Sequence, residues 1–270
     1  MKKGRLIFFI LSILIISLSI SLSIYYPDIP NFYYLNSLLM IVFIFSTFYK
    51  KKKEMQEIRS IIFNYFNSCD TNEYIKKITE FSKSCVFFTK AQKMAFKLYL
   101  VQGYIDSGDF KNAEKCLLEI DKYSNKFSQV TKFIYLKTWC DYFFFTHKDE
   151  KMKYTIEKIK VLISSINNMN IRMFCNLSYQ IIISEYMLIS NSSNLKYVKD
   201  ILYQRLRYEN QNKSRVIIKY LIGILCLKEK LYEQGITMLT DVSKNNRSLF
   251  VCENSLKLIN QYNELLQNEN

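Results

Sequence analysis

The two prolines of this chain lie at positions 27 and 30, and no proline follows them. Proline lacks a backbone N–H and interrupts helices, so a long stretch without it favours continuous helices. Glycine, which also weakens helices, occurs only five times in the whole chain. From residue 54 onward, apolar side chains recur every three or four positions. The sequence therefore predicts an all-α fold.

Two uncharged runs flank the prolines. Residues 6–26 and residues 32–49 contain no Asp, Glu, Lys or Arg. A helix that crosses the bilayer core needs about 20 apolar residues, and the prolines lie where neither helix could continue. We predict a transmembrane helical hairpin, with spans at about 6–26 and 32–49, in an N-terminal membrane anchor of residues 1–53. A cleaved signal peptide and a pair of buried core helices are the alternatives, and both fit less well.

The charges around the two runs predict their orientation. Lys2, Lys3 and Arg5 precede the first run, four lysines at 50–53 follow the second, and the loop between the runs carries Asp28 and no base. Short loops rich in Lys and Arg stay on the cytoplasmic side, and such flanks also favour anionic lipid headgroups. We expect a multi-pass protein of the cell membrane with two spans, whose termini and remaining domain are cytoplasmic.

The charge distribution argues against a nucleic acid partner, and the cysteine spacing indicates the state of the thiols. The net charge is +14, but part of this excess lies beside the two runs, and no compact Arg-rich stretch occurs, so we expect no nucleic acid partner. The seven cysteines include no Cys-x-x-Cys pair and lie at irregular intervals. This pattern is typical of free, buried thiols in a reducing compartment.

The domain from 54 to 270 is predicted to consist of helix pairs. The first helices begin near residues 54, 90, 128, 171 and 213, and a last amphipathic helix covers about 247–266. The turns between paired helices fall near 69, 108, 147, 192 and 230. This spacing predicts about five helix pairs and a C-terminal capping helix.

Two of these pairs carry a recognisable motif. In the second pair, apolar, aromatic, small and turn residues stand at fixed spacings, namely Leu100, Tyr104, Gly108, Phe110, Ala113 and Leu117. In the fifth pair the corresponding residues are Gly223, Tyr232, Gly235 and Leu239, while Cys226 replaces the tyrosine and Lys230 the turn glycine. These residues resemble the tetratricopeptide repeat (TPR) family, in which they pack paired helices together. The resemblance implies a TPR-like α-solenoid.

The resemblance also implies a binding surface. In such arrays the first helices line a concave face that binds peptides or protein segments. Here that face would present Gln102, Asp106, Tyr220, Ile224 and Lys228 to a partner. Aromatic residues crowd 133–145, and we favour packing between neighbouring pairs over a ligand-stacking surface as their role.

The sequence contains no pattern that supports an enzyme. Five glycines leave no room for a nucleotide-binding loop, and the single histidine, His147, cannot serve the common acid–base arrangements or a zinc site. We expect no catalytic residue, metal or cofactor. The predicted function is a membrane-anchored scaffold or adaptor that binds a protein or peptide partner. A peptide-sensing regulator, a helical accessory subunit of a membrane enzyme or transporter, and an unrecognised enzyme are the alternatives, and homo-oligomerisation is left open.

Overall fold

The computed structural model describes residues 31–84, 89–190 and 194–268, together with the isolated residues 13, 17, 20, 21, 24 and 25. The chain divides into two compact units, one of residues 1–60 and 83–87 and one of residues 61–82 and 88–270. The described residues form eleven α-helices and no strand. The all-α prediction is therefore confirmed. Cys85 and most of the predicted first span, residues 6–26, lie outside the described residues. Only the isolated positions named above belong to the described part of that span.

The first unit is described mainly by the helix α1, Asn31–Ser68, of which residues up to 60 belong to this unit. Large apolar side chains on its N-terminal half are exposed, among them Leu38, Val42, Phe45 and Phe48. The helix runs without a break through the lysines at 50–53. Within the described part of the chain, no helix is both long enough and apolar enough to cross a membrane.

The second unit begins with the last residues of α1 and contains the ten helices that follow it, except for the last two residues of α2. Their bounds agree with the predicted pairs to within a few residues. They are α2 (Thr71–Ser84), α3 (Lys90–Asp106), α4 (Phe110–Asp121), α5 (Gln129–Phe145), α6 (Asp149–Ser164), α7 (Met169–Ile189), α8 (Leu195–Tyr208), α9 (Asn212–Lys228), α10 (Tyr232–Ser243) and α11 (Phe250–Asn268).

Side-chain caps set the start of several of these helices. Thr89 and Gln92 form a capping box at the start of α3, in which each side chain accepts a hydrogen bond from the other residue's backbone N–H. Asp109 accepts from the N–H of Asn112 at the start of α4, and Asn168 accepts from Ile171 at the start of α7. These caps satisfy N–H groups that a helix leaves without an internal partner.

In four of the helix pairs, the second helix begins two positions after a residue whose backbone is in the left-handed region, with positive φ. Gly108 has φ of 78°, and Cys69, His147 and Lys230 have φ of 57°, 53° and 61°. Helices α2, α4, α6 and α10 begin two residues after these positions. Glycine adopts this region without steric cost, whereas side chains adopt it rarely. The turn geometry therefore repeats along the chain even where the turn glycine is missing, and it gives His147 a structural position.

From the second pair onward, the first helices of successive pairs pack against one another. Helix α3 contacts α5, α5 contacts α7, and α7 contacts α9, while α4, α6, α8 and α10 each pack beside the first helix of their own pair. The last helix does more than cover α10, because it also contacts α9 and α3. The ring of Phe250 in α11 lies 5.1 Å from that of Phe110 and 5.6 Å from that of Phe145, measured between centroids. An array in which each repeat touches only its neighbours would have no such contact.

Candidate functional site

An open groove with a volume of about 1090 Å³ lies between α5 and α6. Its lining includes the apolar side chains of Leu136 and Leu162. Four aromatic side chains line it, namely Tyr135, Trp139, Phe143 and Tyr154. We refer to it below as the aromatic groove. Its volume slightly exceeds that usual for small-molecule sites, about 300–1,000 Å³.

Helix α5 supplies three of these rings from one face. Tyr135, Trp139 and Phe143 are spaced four residues apart, and such residues lie above one another on a helix. The rings of Trp139 and Phe143 are stacked, with centroids 5.1 Å apart. The hydroxyl of Tyr135 donates a 2.6 Å hydrogen bond to Oδ1 of Asp121, which fixes that ring. Burial raises the pKa of Tyr135, and this hydrogen bond raises it further, so the tyrosine stays neutral.

Helix α6 forms the other wall, and its side chains are accessible. Tyr154 is 66% exposed and Val161 is 68% exposed. The Nζ atom of Lys158 lies 4.2 Å from the centroid of the Tyr154 ring, within the range of a cation–π contact. Charged side chains of both signs surround the groove, three basic and three acidic: Lys132, Lys151, Lys158, Asp121, Glu150 and Glu157. The arrangement suits an amphipathic segment better than a ligand of one charge.

A second, smaller cavity of about 340 Å³ lies where the ends of α5 and α7 meet α9 and α11. Three of the residues predicted to bind a partner, Tyr220, Ile224 and Lys228, line it together. Tyr220 is almost completely buried, and its hydroxyl accepts a 2.5 Å hydrogen bond from Nδ2 of Asn254. Burial raises the pKa of Tyr220 to about 12. Lys228 is exposed.

The other two predicted partner-binding residues do not line this cavity. Asp106 is buried at the end of α3, where Oδ2 accepts a 2.5 Å hydrogen bond from the hydroxyl of Tyr65 and forms an ion pair with Lys213. Gln102 donates a 3.1 Å hydrogen bond from Nε2 to Oδ1 of the same carboxylate. Both oxygens of Asp106 are therefore bound within the protein, and this part of the predicted face is an internal brace.

The residues predicted to pack the helix pairs lie at helix contacts. Ala113, Leu117 and Leu239 are completely buried, and Leu100, Gly223 and Gly235 are buried. Tyr104, Gly108, Phe110 and Tyr232 are partly buried. A Cβ atom on Gly223 would lie 2.7 Å from Cγ of Leu239, and one on Gly235 would lie 3.2 Å from the carbonyl oxygen of Gly223. These glycines permit α9 and α10 to approach closely.

A buried acidic pair lies between α5 and α7. Lys137 Nζ is 2.6 Å from Oδ2 of Asp141, and Glu185 of α7 is buried near them. Oδ1 of Asp141 and Oε2 of Glu185 make no hydrogen bond. Burial raises the pKa of Glu185 to about 8, Asp141 adds repulsion, and Lys137 offsets part of the shift. Glu185 is therefore largely protonated at neutral pH.

Nothing in the described residues assembles a metal centre, since no three His, Cys, Asp or Glu side chains among them are grouped to hold an ion. The six cysteines that the structure describes are free thiols, and five of them are buried. Burial raises the pKa of Cys140 and Cys252, which keeps both thiols protonated. These thiols serve as small core side chains.

Sequence reasoning missed the aromatic groove, although its signal was present. The spacing of Tyr135, Trp139 and Phe143 marks one helix face, whereas Phe144 and Phe145 in the same aromatic stretch face the smaller cavity. Sorting the rings by helix face would have separated the two groups.

A search for relatives found no matching protein family, no match among curated protein sequences and no similar solved structure.

Proposed function

We propose that this protein is a membrane-attached helical scaffold that binds a protein partner through an extended segment of that partner lying in the aromatic groove. The observation that carries the proposal is the row of Tyr135, Trp139 and Phe143 opposite the exposed ring of Tyr154. Tryptophan and tyrosine are the residues that most often dominate the binding energy of protein interfaces, because they bury large area at small entropic cost.

The shape of the groove favours a peptide segment over a globular surface. Its lining on α5 runs from Lys132 to Phe143, which at 1.5 Å per residue is about 16 Å. An extended chain covers that length with about five residues, at roughly 3.3 Å each. Apolar or aromatic side chains of the segment would lie against the rings. Its charged side chains would meet the lysines and carboxylates around the groove, which carry both signs.

The repeat assignment remains part of this proposal. The close approach at Gly223 and Gly235, the burial of Ala113 and Leu117, and the recurring left-handed turn support a TPR-like array. In this proposal the partner lies in a groove between the two helices of one pair, rather than on the face formed by Gln102 and Asp106.

Attachment to the membrane is supported by the N-terminal sequence. Residues 6–26 and 32–49 lack charge, and basic residues flank both runs. The exposed apolar side chains of α1, such as Phe45 and Phe48, would be covered by lipid. We propose that residues 1–53 form the anchor as a two-span hairpin and that the second unit lies on the cytoplasmic side.

Site-specific photocrosslinking tests the groove. The photoreactive amino acid p-benzoylphenylalanine replaces Tyr154 in the full chain in cells, and Tyr208 is replaced in a matched control. Tyr208 is 70% exposed and does not line the groove. We expect one discrete protein adduct from position 154, lost when Trp139→Ala is added, and none from position 208. Equal adducts from both positions, or none from position 154, would refute the proposal.

The groove also favours a second candidate, a peptide-sensing regulator, because an aromatic-lined groove can capture a short free peptide. The two functions differ in what crosslinks at position 154. A scaffold gives an adduct with the mass of a protein, whereas a peptide sensor gives an adduct only a few hundred to a few thousand daltons heavier than the chain.

A further inference from the structure

The two helices that form the aromatic groove use their backbone hydrogen bonds internally. The groove residues 132–143 lie inside α5 and 150–164 inside α6, so their N–H and C=O groups pair mostly within these helices. Near the end of α6, the carbonyl of Leu162 accepts a hydrogen bond from Oγ of Ser165, and the carbonyl of Ser165 accepts one from Nε2 of Gln129. Both walls of the groove are therefore helices that offer a ligand no strand edge.

This property of the walls limits the backbone that a bound segment can have. A β-strand carries N–H and C=O groups along both edges, and in the groove these edges would face α5 and α6. A buried N–H group without a partner costs free energy. Proline has no N–H and removes that cost. A polyproline II chain, moreover, makes no internal hydrogen bonds and needs none from a neighbour to keep its conformation.

The size of the groove separates such a chain from an α-helix, which also satisfies its own backbone. A volume of about 1090 Å³ over a length of about 16 Å corresponds to a mean cross-section of about 70 Å². An α-helix with its side chains is about 10–12 Å wide, so its cross-section is at least about 80 Å². A helix therefore does not fit wholly between the walls, whereas a single extended chain does.

The rings on α5 are held in place by contacts within the protein. Tyr135 donates its 2.6 Å hydrogen bond to Asp121, and the rings of Trp139 and Phe143 stack with an angle of 24° between their planes. The row from Tyr135 to Phe143 covers about 12 Å along the helix. Prolines three residues apart lie on one edge of a polyproline II chain, about 9 Å from each other. The row is therefore long enough for two such prolines, and rigid partners lose little conformational entropy when they bind.

We propose that the segment bound in the aromatic groove is rich in proline and adopts the polyproline II conformation, with two prolines three residues apart on the rings of α5. This inference rests on the proposed function of the groove. Aromatic-lined grooves are a recurring way of binding such segments, because the conformation is formed in advance. The chain has a Pro-x-x-Pro sequence of its own at 27–30. In the proposed topology those residues are not cytoplasmic, so the segment belongs to another protein.

The only tryptophan of the chain, Trp139, lines the groove and reports binding there by its fluorescence. The full chain in lipid nanodiscs is titrated with octa-L-proline, a short peptide that forms polyproline II. The matched control is octa-D-proline, which has the same composition and the opposite handedness. We expect a saturable change in the emission of Trp139 with the L-peptide and an affinity at least tenfold lower for the D-peptide.

Two substitutions locate the bound peptide. Tyr154→Ala removes the ring on α6 and is expected to lower the affinity for octa-L-proline at least tenfold. Tyr208→Ala is the control, because Tyr208 is exposed and does not line the groove, and it should leave the affinity unchanged. Equal effects of the two substitutions, equal affinity for the two peptides, or no response to octa-L-proline would overturn the inference.

Photocrosslinking at position 154 distinguishes a failure of this inference from a failure of the proposed function. We expect the protein adduct to form and octa-L-proline to reduce it in permeabilised cells. If the adduct forms but octa-L-proline neither binds nor reduces it, the groove holds a segment of another kind and the inference alone is wrong. If no adduct forms, the proposed function is wrong and the inference with it.

Discussion

The carboxylate of Asp106 at the end of α3 and the ammonium of Lys213 at the start of α9 form an ion pair in which both side chains are 4% exposed. Tyr65 and Gln102 donate hydrogen bonds to the same carboxylate, and the Lys213 ammonium lies 4.6 Å from the ring centroid of Tyr65. Side chains of α1, α3 and α9 thus meet at one buried charge. The pair joins the second helix pair to the fifth, which an open array would leave apart.

Lys213→Met tests this brace. The substitution leaves a buried carboxylate without a counter-charge, and removal of one partner of a buried ion pair costs about 3–5 kcal/mol. We expect a loss of that size in the free energy of unfolding, measured by urea denaturation of the full chain in detergent. Lys199→Met is the matched control, since Lys199 pairs with Glu229 at the surface and a surface pair contributes less than about 1 kcal/mol.

The double variant Asp106→Asn, Lys213→Met distinguishes the charge from the packing. It removes both charges and leaves Tyr65 and Gln102 with an amide to bind. We expect it to recover at least half of the stability lost by Lys213→Met. No recovery would show that the lysine acts through its aliphatic stem and not through its charge.

The left-handed turn residues Gly108 and Lys230 give two predictions of opposite sign for the free energy of unfolding. Gly108→Ala puts a Cβ at φ of 78°, and that atom would lie 2.7 Å from the Phe250 ring. A left-handed residue with a side chain costs about 1–2 kcal/mol, so the free energy of unfolding should fall by at least that amount. Lys230→Gly relieves the same cost at φ of 61° but gives the unfolded chain more freedom, which leaves a net gain of up to about 1 kcal/mol.

Thermal unfolding of the two variants checks both signs. The control is Gln234→Ala at an exposed position inside α10, which should change the stability by less than about 0.5 kcal/mol. If Lys230→Gly proved strongly destabilising, the lysine side chain would have a stabilising role that its backbone geometry does not show.

The sequence was sufficient to predict what depends on neighbouring residues. Helix bounds follow from period and caps, and the start of α4 at Phe110 follows from the turn at Gly108 and the cap at Asp109. The sequence was not sufficient to predict contacts between segments that are distant along the chain. Helical periodicity marks Asp106 as facing inward or outward, but it carries no information on whether Lys213 lies opposite. For the same reason, the sequence did not predict that Phe250 of the capping helix contacts Phe110.

The raised pKa of Glu185 predicts how the stability of the folded protein depends on pH. Its carboxyl group ionises near 4.5 in an unfolded chain and near 8 in the folded protein, where burial and Asp141 oppose its charge and Lys137 favours it. Between those values the folded state holds a proton that the unfolded state has released. The free energy of unfolding therefore falls as pH rises through this window, by up to about 1.4 kcal/mol per pH unit, and levels off above pH 8.

Glu185→Gln removes the titrating group, so the variant should be more stable than the natural protein at pH 8 and show a flatter profile from pH 5 to pH 9. Urea denaturation at each pH measures this. Glu80→Gln, at an exposed position on α2, serves as the control and should leave the slope unchanged. A slope that persists in Glu185→Gln would assign the pH dependence to other groups.

Cysteine labelling tests the proposed topology. Because five of the six described cysteines are buried, the native protein should react slowly with a maleimide, and an added exposed thiol gives the signal. Lys153→Cys places one on the exposed side of α6, and Asp28→Cys places one between the two uncharged runs. In intact cells, a membrane-impermeant maleimide should label the cysteine at 28 and leave the cysteine at 153 unlabelled until the cells are permeabilised. Labelling of position 153 in intact cells would place the second unit outside and direct the search for its partner there.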